Sequence, residues 1–143
     1  PGNPNLVYVG AAQGGVYRSL DGGATWTPIF DSAQSLAIGA LALAPSNPEI
    51  LYVGTGEASG AADGFFGVGL YRIDNAGTTA NLTGPINPAV ATAVAGTTAF
   101  TGRAISRIIV HPSNPAIVFV ATSTGTMPSA SSRFASTRSR AAT

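Results

Sequence analysis

The chemistry this chain can carry is narrow. Its acids are six, Asp21, Asp31, Glu49, Glu57, Asp63 and Asp74, its cations are seven arginines without a lysine, and His111 is its one histidine. Two carboxyl groups flanking a bond are the usual equipment for glycoside hydrolysis, one protonating the leaving oxygen and the other attacking or activating water. With a single histidine, neither Ser-His-Asp catalysis nor a histidine-based metal cluster has material to build on. Cysteine is absent, which removes thiolate ligands, thiol nucleophiles and disulfides together. Gly54-Thr55-Gly56 and Gly67-Val68-Gly69 lack the strand-turn-helix setting of a phosphate-binding loop. Asn81-Leu82-Thr83 matches the glycosylation sequon, a pattern short enough to arise by chance. No cofactor and no metal is expected.

Internal repetition shows which elements must position these groups. Pro1-Gly2-Asn3-Pro4-Asn5-Leu6-Val7-Tyr8-Val9-Gly10 recurs 44 residues later from Pro45 to Gly54, and 67 residues after that from Pro112 to Ala121. Each copy is a Pro/Asn turn feeding a short β-rich run. A spacing of about 40–45 residues suits a unit of four strands, so the longer second interval carries loop insertions. The runs 38–44 and 105–111 precede the second and third turns and predict a strand A, with the run after each turn as strand B. Gly15-Val16-Tyr17-Arg18-Ser19 matches Gly69-Leu70-Tyr71-Arg72-Ile73 and predicts strand C. Strand D is predicted to start near Trp26. No segment sustains helical apolar spacing for three turns before a Gly or Pro interrupts it, so the chain reads as all-β.

Between strands C and D lies Ser19-Leu20-Asp21-Gly22-Gly23-Ala24-Thr25-Trp26. This octet resembles the Asp-box, or BNR repeat, of bacterial sialidases, xyloglucanase-type glycoside hydrolases, sortilin-like receptors and photosystem II assembly factors. The phrases Gly14-Gly15-Val16-Tyr17-Arg18 and Leu51-Tyr52-Val53-Gly54-Thr55-Gly56-Glu57 look most like large secreted bacterial BNR proteins. The resemblance covers residues 1 to about 124. It implies a β-propeller fragment of about two to three four-stranded antiparallel blades with an Asp-box hairpin turn. It also implies a secreted or cell-surface location. In that reading, residues 1–30 are a partial blade with strands B, C and D, and 36–84 are a complete blade with a degenerate box. Residues 85–104 are an insertion between blades, 105–125 a partial blade with strands A and B, and 126–143 a disordered or aberrant tail. The box residues Ser19, Asp21, Gly23, Thr25 and Trp26 are structural, Asp21 accepting bonds from turn N–H groups and Trp26 burying its ring between sheets. The second copy keeps Gly77 and Thr79 but has Asn75 for the Asp and Ala80 for the Trp.

Connections in a four-stranded meander alternate between the two ends of the sheet. The A–B turns and the Asp-box therefore share one end, and the B–C loops and D–A links share the other. The insertions, Ala58 to Phe66 and about Pro85 to Ala104, both fall at that second end, the face where repeat arrays commonly bind. Asp21, Glu49 and Asp74 belong to the turn end, which leaves Glu57, Asp63 and Asp31 as candidate catalytic acids. Phe65, Phe66, Phe100 and Arg103 are the candidate binding residues there, by stacking or hydrogen bonding. Packing onto the blades is the competing role, and it is the one expected of Phe65 and Phe66. Arg18 and Arg72 occupy equivalent strand-C positions, which reads as repeat architecture. The arginine cluster of a sialidase is not identified.

Net charge is +1 with 9% charged residues, and the arginines stay scattered until Arg133, Arg138 and Arg140, so no nucleic-acid footprint is present. The apolar runs 38–44 and 89–96 fall well short of a membrane span, and no leader segment is visible after Pro1. The functional expectation is a non-catalytic binding or scaffold module for carbohydrate or protein. The alternative is part of a glycoside hydrolase whose carboxylates lie partly outside this stretch. Open sheet edges would be covered by the remaining blades of a longer chain or by self-association.

Overall fold

The computed structural model describes residues 3–58, 64–90 and 97–124. Residues 59–63 of the 58–66 loop with Asp63, residues 91–96 of the 85–104 insertion, and the 126–143 tail with Arg133, Arg138 and Arg140 lie outside the described residues. Within them the chain is all-β, with nine strands and no helix. Strands β1 (Val7–Ala11), β2 (Gly15–Ser19) and β3 (Thr27–Pro28) form the first sheet. The second contains β4 (Ile38–Ala44), β5 (Asn47–Thr55), β6 (Leu70–Asp74) and β7 (Asn81–Ile86). The third pairs β8 (Arg103–Val110) with β9 (Val118–Thr124). Every pairing is antiparallel between sequence neighbours. The described residues form these three separate sheets and do not close into a ring.

The repeated turn has a repeated mechanism. Asn3, Asn47 and Asn114 each accept, through Oδ1, the backbone N–H two residues on, at 3.0, 3.1 and 3.0 Å. That local bond presets the reversal before any tertiary contact forms.

Alternation along the middle sheet then decides the packing. Leu51, Val53, Tyr71 and Ile73 gather with Val16 of the first sheet and Phe30 of the link that follows it. Ile50, Tyr52 and Leu70 point the other way and gather with Ile105, Ile108 and Val110 of the third. Successive strand residues face opposite sides, so β5, apolar at both parities, needs a neighbour on each side. The rings of Phe30 and Tyr71 meet edge to face, with centroids 5.0 Å apart and planes at 79°.

The two interfaces are built alike. A Cβ placed on Gly10 would lie 2.6 Å from Ile38 Cγ2, and one on Gly54 would lie 2.3 Å from Ile105 Cγ2. Gly10 and Gly54 are equivalent positions in the repeat, as are Ile38 and Ile105. The same strand-B glycine thus receives the same strand-A isoleucine twice.

Trp26 departs from the expectation of a ring buried between sheets, being 41% exposed. Its repeat counterpart Ala80 packs on the side of the second sheet that faces the first. Trp26 lies over Gly23 of its own turn, where a Cβ would stand 3.5 Å from Cζ2. Phe30 supplies the aromatic ring of that interface instead.

Gly54→Ala is expected to destabilise the fold by about 1–3 kcal/mol, because the added methyl overpacks a close contact. Gly10→Ala should cost less, its neighbours being further off. Denaturant midpoints for the two variants check both the sign and the order.

Candidate functional site

One end of the sheets is tied internally. In the 19–26 turn, Gly22 and Gly23 have φ of 75° and 103°, a region that side chains rarely adopt. Ser19 Oγ donates to Asp21 Oδ1 at 2.7 Å and accepts from Gly23 N at 2.8 Å. Asp21 accepts from Thr25 N at 2.9 Å and from Thr25 Oγ1 at 2.6 Å. The Asp21 carboxyl is held well below its ordinary range, first by the two Thr25 donors and then by Ser19. Both of its oxygens are engaged in bonds within the turn.

The second turn replaces this device with one from its neighbour. Asn75 takes the Asp21 place with φ 53°, and Gly77 N donates to Glu49 Oε2 at 3.2 Å. Glu49 therefore does for Gly77 what Ser19 does for Gly23. Both turns are anchored to the preceding reversal, Gly22 N donating to Asn5 O and Ala76 N to Glu49 O, each at 2.9 Å. Arg18 ties the first sheet to the second, donating from Nη1 to Ala76 O at 3.0 Å and also to Thr78 O. Arg72 instead forms an ion pair with Asp74 at 2.6 Å, which raises its pKa. Tyr52 donates to Pro115 O at 2.7 Å across to the third sheet. Tyr8 is held above the ordinary tyrosine value by burial first, then by the charge of Glu49, with Arg18 opposing. Asp21, Glu49, Asp74, Arg18 and Arg72 are thus all engaged at this end.

The opposite end is open. Three connections meet there: the β1–β2 turn with Gln13, the β3–β4 link with Gln34, Ser35, Leu36 and Ala37, and the β5–β6 loop with Phe65. Together they line a groove of about 280 Å³. Its floor is held by the backbone, since Gly15 N donates to Leu36 O at 2.9 Å and Gly56 N to Ala37 O at 2.8 Å. Gln34 N donates to the Tyr71 hydroxyl at 3.1 Å, which fixes the link over the core. Thr55, buried in the second sheet, shapes the loop by donating to Gly69 O at 2.7 Å and accepting from Val68 N at 2.9 Å.

Phe65 is 54% exposed on the rim of this groove and does not cap the sheet as expected. Its carbonyl accepts from Glu57 N at 2.8 Å, holding the ring out over Gln34 to Ala37. Glu57 is half-buried, and its Oε1 has no hydrogen-bond partner among the described residues. Phe66 is half-buried. Phe100 packs beside the cluster between the second and third sheets and donates its N–H to Asn87 Oδ1 at 2.9 Å. Arg103 has an exposed side chain, while its carbonyl accepts from Gly67 N at 2.9 Å. Asp31 is exposed in the β3–β4 link. The structure thus brings Phe65 to the groove, Glu57 to the Phe65 backbone and Arg103 to the loop backbone. Family models, curated proteins and solved structures yield no match to this chain.

Gln13, Gln34 and Ser35 escaped the sequence reading. No motif marks them, although all three fall in connections of the loop end, and that placement was the available signal.

Asp21→Ala should lower the denaturant midpoint at neutral pH by removing both turn acceptors. The folded carboxyl titrates below the unfolded one, so its stabilisation is complete above about pH 4 and is lost as pH falls through the lowered value. The gap between wild type and Asp21→Ala should therefore close in strong acid. A gap that stays constant with pH would contradict this account.

Proposed function

We propose that the chain is a stretch of an Asp-box β-propeller that binds carbohydrate at its loop end without catalysing a reaction. The propeller reading rests on the resemblance of the 19–26 octet, and three facts of the fold support it. The second sheet is a four-stranded meander, the Pro/Asn reversals repeat one Asn bond, and the Gly-to-Ile contact recurs at both interfaces. In this reading each sheet is a blade, or part of one, and the protein works outside the cytoplasm, as the resemblance implies.

The carrying observation is the groove under Phe65. An exposed ring beside two amides and a hydroxyl suits a ligand with one apolar face and many hydroxyls, which is the chemistry of a sugar ring. The groove lining carries no ionised side chain, which favours a neutral saccharide over an acidic one. Three of the acids are engaged at the turn end, and neither Asp31 nor Glu57 lines the groove, which favours binding over hydrolysis there.

Titration calorimetry with cello-oligosaccharides and xyloglucan oligosaccharides tests the reading. Saturable binding is expected, with Phe65→Ala weakening it about tenfold, or roughly 1.4 kcal/mol. Gln34→Ala should also weaken it, whereas Phe119→Ala, on an exposed face of the third sheet, should leave it unchanged. Absence of binding by the wild-type chain, or equal binding by Phe65→Ala, would remove the proposal.

A further inference from the structure

Asn87 ties the two loop-end insertions together. Half-buried just after β7, it donates from Nδ2 to Val68 O at 3.3 Å and accepts from Phe100 N at Oδ1, at 2.9 Å. Phe100 O in turn accepts from Arg103 N at 3.1 Å, and Arg103 O accepts from Gly67 N at 2.9 Å. Gly67 and Val68 are consecutive, so these bonds form a closed circuit from the β5–β6 loop through the 85–104 insertion and back. The circuit is fixed on both sides. Phe100 packs beside the cluster between the second and third sheets. From β5, Thr55 Oγ1 accepts from Val68 N and Gly69 N at 2.9 and 3.1 Å. A Cβ on Gly67 would stand 2.2 Å from Thr55 O and 3.0 Å from Arg103 O, so the loop runs through a gap with room for backbone alone. Phe65 lies two residues before that gap.

We propose that Asn87 is a positioning residue of the saccharide groove, holding the β5–β6 loop where it presents Phe65 at the rim. The inference rests on the carbohydrate reading for its ligand and on the hydrogen-bond circuit for its geometry. A primary amide suits the place because it offers an acceptor and a donor on one planar group. Turned over, it would set its NH2 against the Phe100 N–H and its oxygen against Val68 O, so the network fixes its orientation. An aspartate at this position keeps the acceptor and loses the donor. Without the donor, Val68 O loses its tie to the insertion, and the bond from Gly67 N to Arg103 O is left to hold the loop there. Phe100 and Arg103 enter the site in this way through backbone groups. A ring held in its bound position binds more tightly than one that must be ordered by the ligand, because ordering is part of the cost of binding.

Asn87→Asp provides the test, since it breaks the bond to Val68 O and leaves the Phe100 tie in place. In titration calorimetry with cello-oligosaccharides it should bind about fivefold more weakly than wild type, the scale of one ordinary hydrogen bond. In the Phe65→Ala background the same substitution should cost nothing further, because it acts through that ring. A residue that supported the fold in general would act equally in both backgrounds. Limited chymotrypsin digestion reads the loop without any ligand. Cleavage after Phe65 should accelerate about fivefold in Asn87→Asp, while cleavage after Trp26, at the turn end, keeps its rate. If the wild-type chain binds no saccharide, the carbohydrate reading fails, and the cleavage rates still decide whether Asn87 holds the loop. Unchanged cleavage after Phe65, wild-type affinity in Asn87→Asp, or an equal loss of affinity with and without Phe65 would each overturn the inference. Equal acceleration after Trp26 would do the same, because Asn87 would then be supporting the whole fold.

Discussion

Between Ile50 and Gly54, each residue of β5 lies against a neighbouring sheet, to one side or the other in alternation. A strand apolar at both parities cannot sit at a solvated surface without exposing half of its side chains. The rest of the arrangement depends on that constraint. The first sheet must cover Leu51 and Val53, and the third must cover Ile50 and Tyr52. The close approach at Gly54 lets Ile105 reach the backbone, and the matching approach at Gly10 admits Ile38. One contact used twice holds three sheets in a repeating relation.

The division of labour between the two ends follows from how the sheets are fastened. At the turn end, backbone donors are matched by Ser19, Asp21 and Glu49, and Arg18 crosses from one sheet to the next. At the loop end the connections are longer and held mainly through backbone bonds, such as Glu57 N to Phe65 O and Gly67 N to Arg103 O. Side chains on those loops are consequently free to face outward. An end fastened by its own turns supporting a variable, outward-facing one is a common way for a repeat scaffold to carry binding.

Substitution within the repeat shows how loosely such turns are specified. The second turn has lost the serine and aspartate of the first, yet Gly77 N still finds a carboxylate, contributed by Glu49 from the neighbouring reversal. The donor must be satisfied, and the geometry brings two loops close enough for either to do it. Arg18 and Arg72 make the opposite point. Equivalent in sequence, one reaches the next sheet and the other bonds Asp74 two residues along its own strand.

The strands were legible because their signals are local: a Pro/Asn reversal, a run of Val, Leu and Tyr, and a glycine-bearing turn. Their antiparallel order followed from short connections, and so did the assignment of each loop to an end. Asp21 belonged to its turn in the sequence alone, since its partners Ser19 and Thr25 lie within four residues. The exposure of Trp26 was not legible, because burial depends on which sheet lies opposite, and no local pattern encodes that. Phe65 likewise turned outward only once Glu57 and the neighbouring link had fixed its loop. Gln13, Gln34 and Phe65 come from three connections separated by up to 52 residues, and only the packing of one sheet on the next makes them neighbours. The sequence by itself determined the elements and the tied end, where bonds span a few residues. The tertiary structure decided the open groove, because its walls are contributed by segments that share no local interaction.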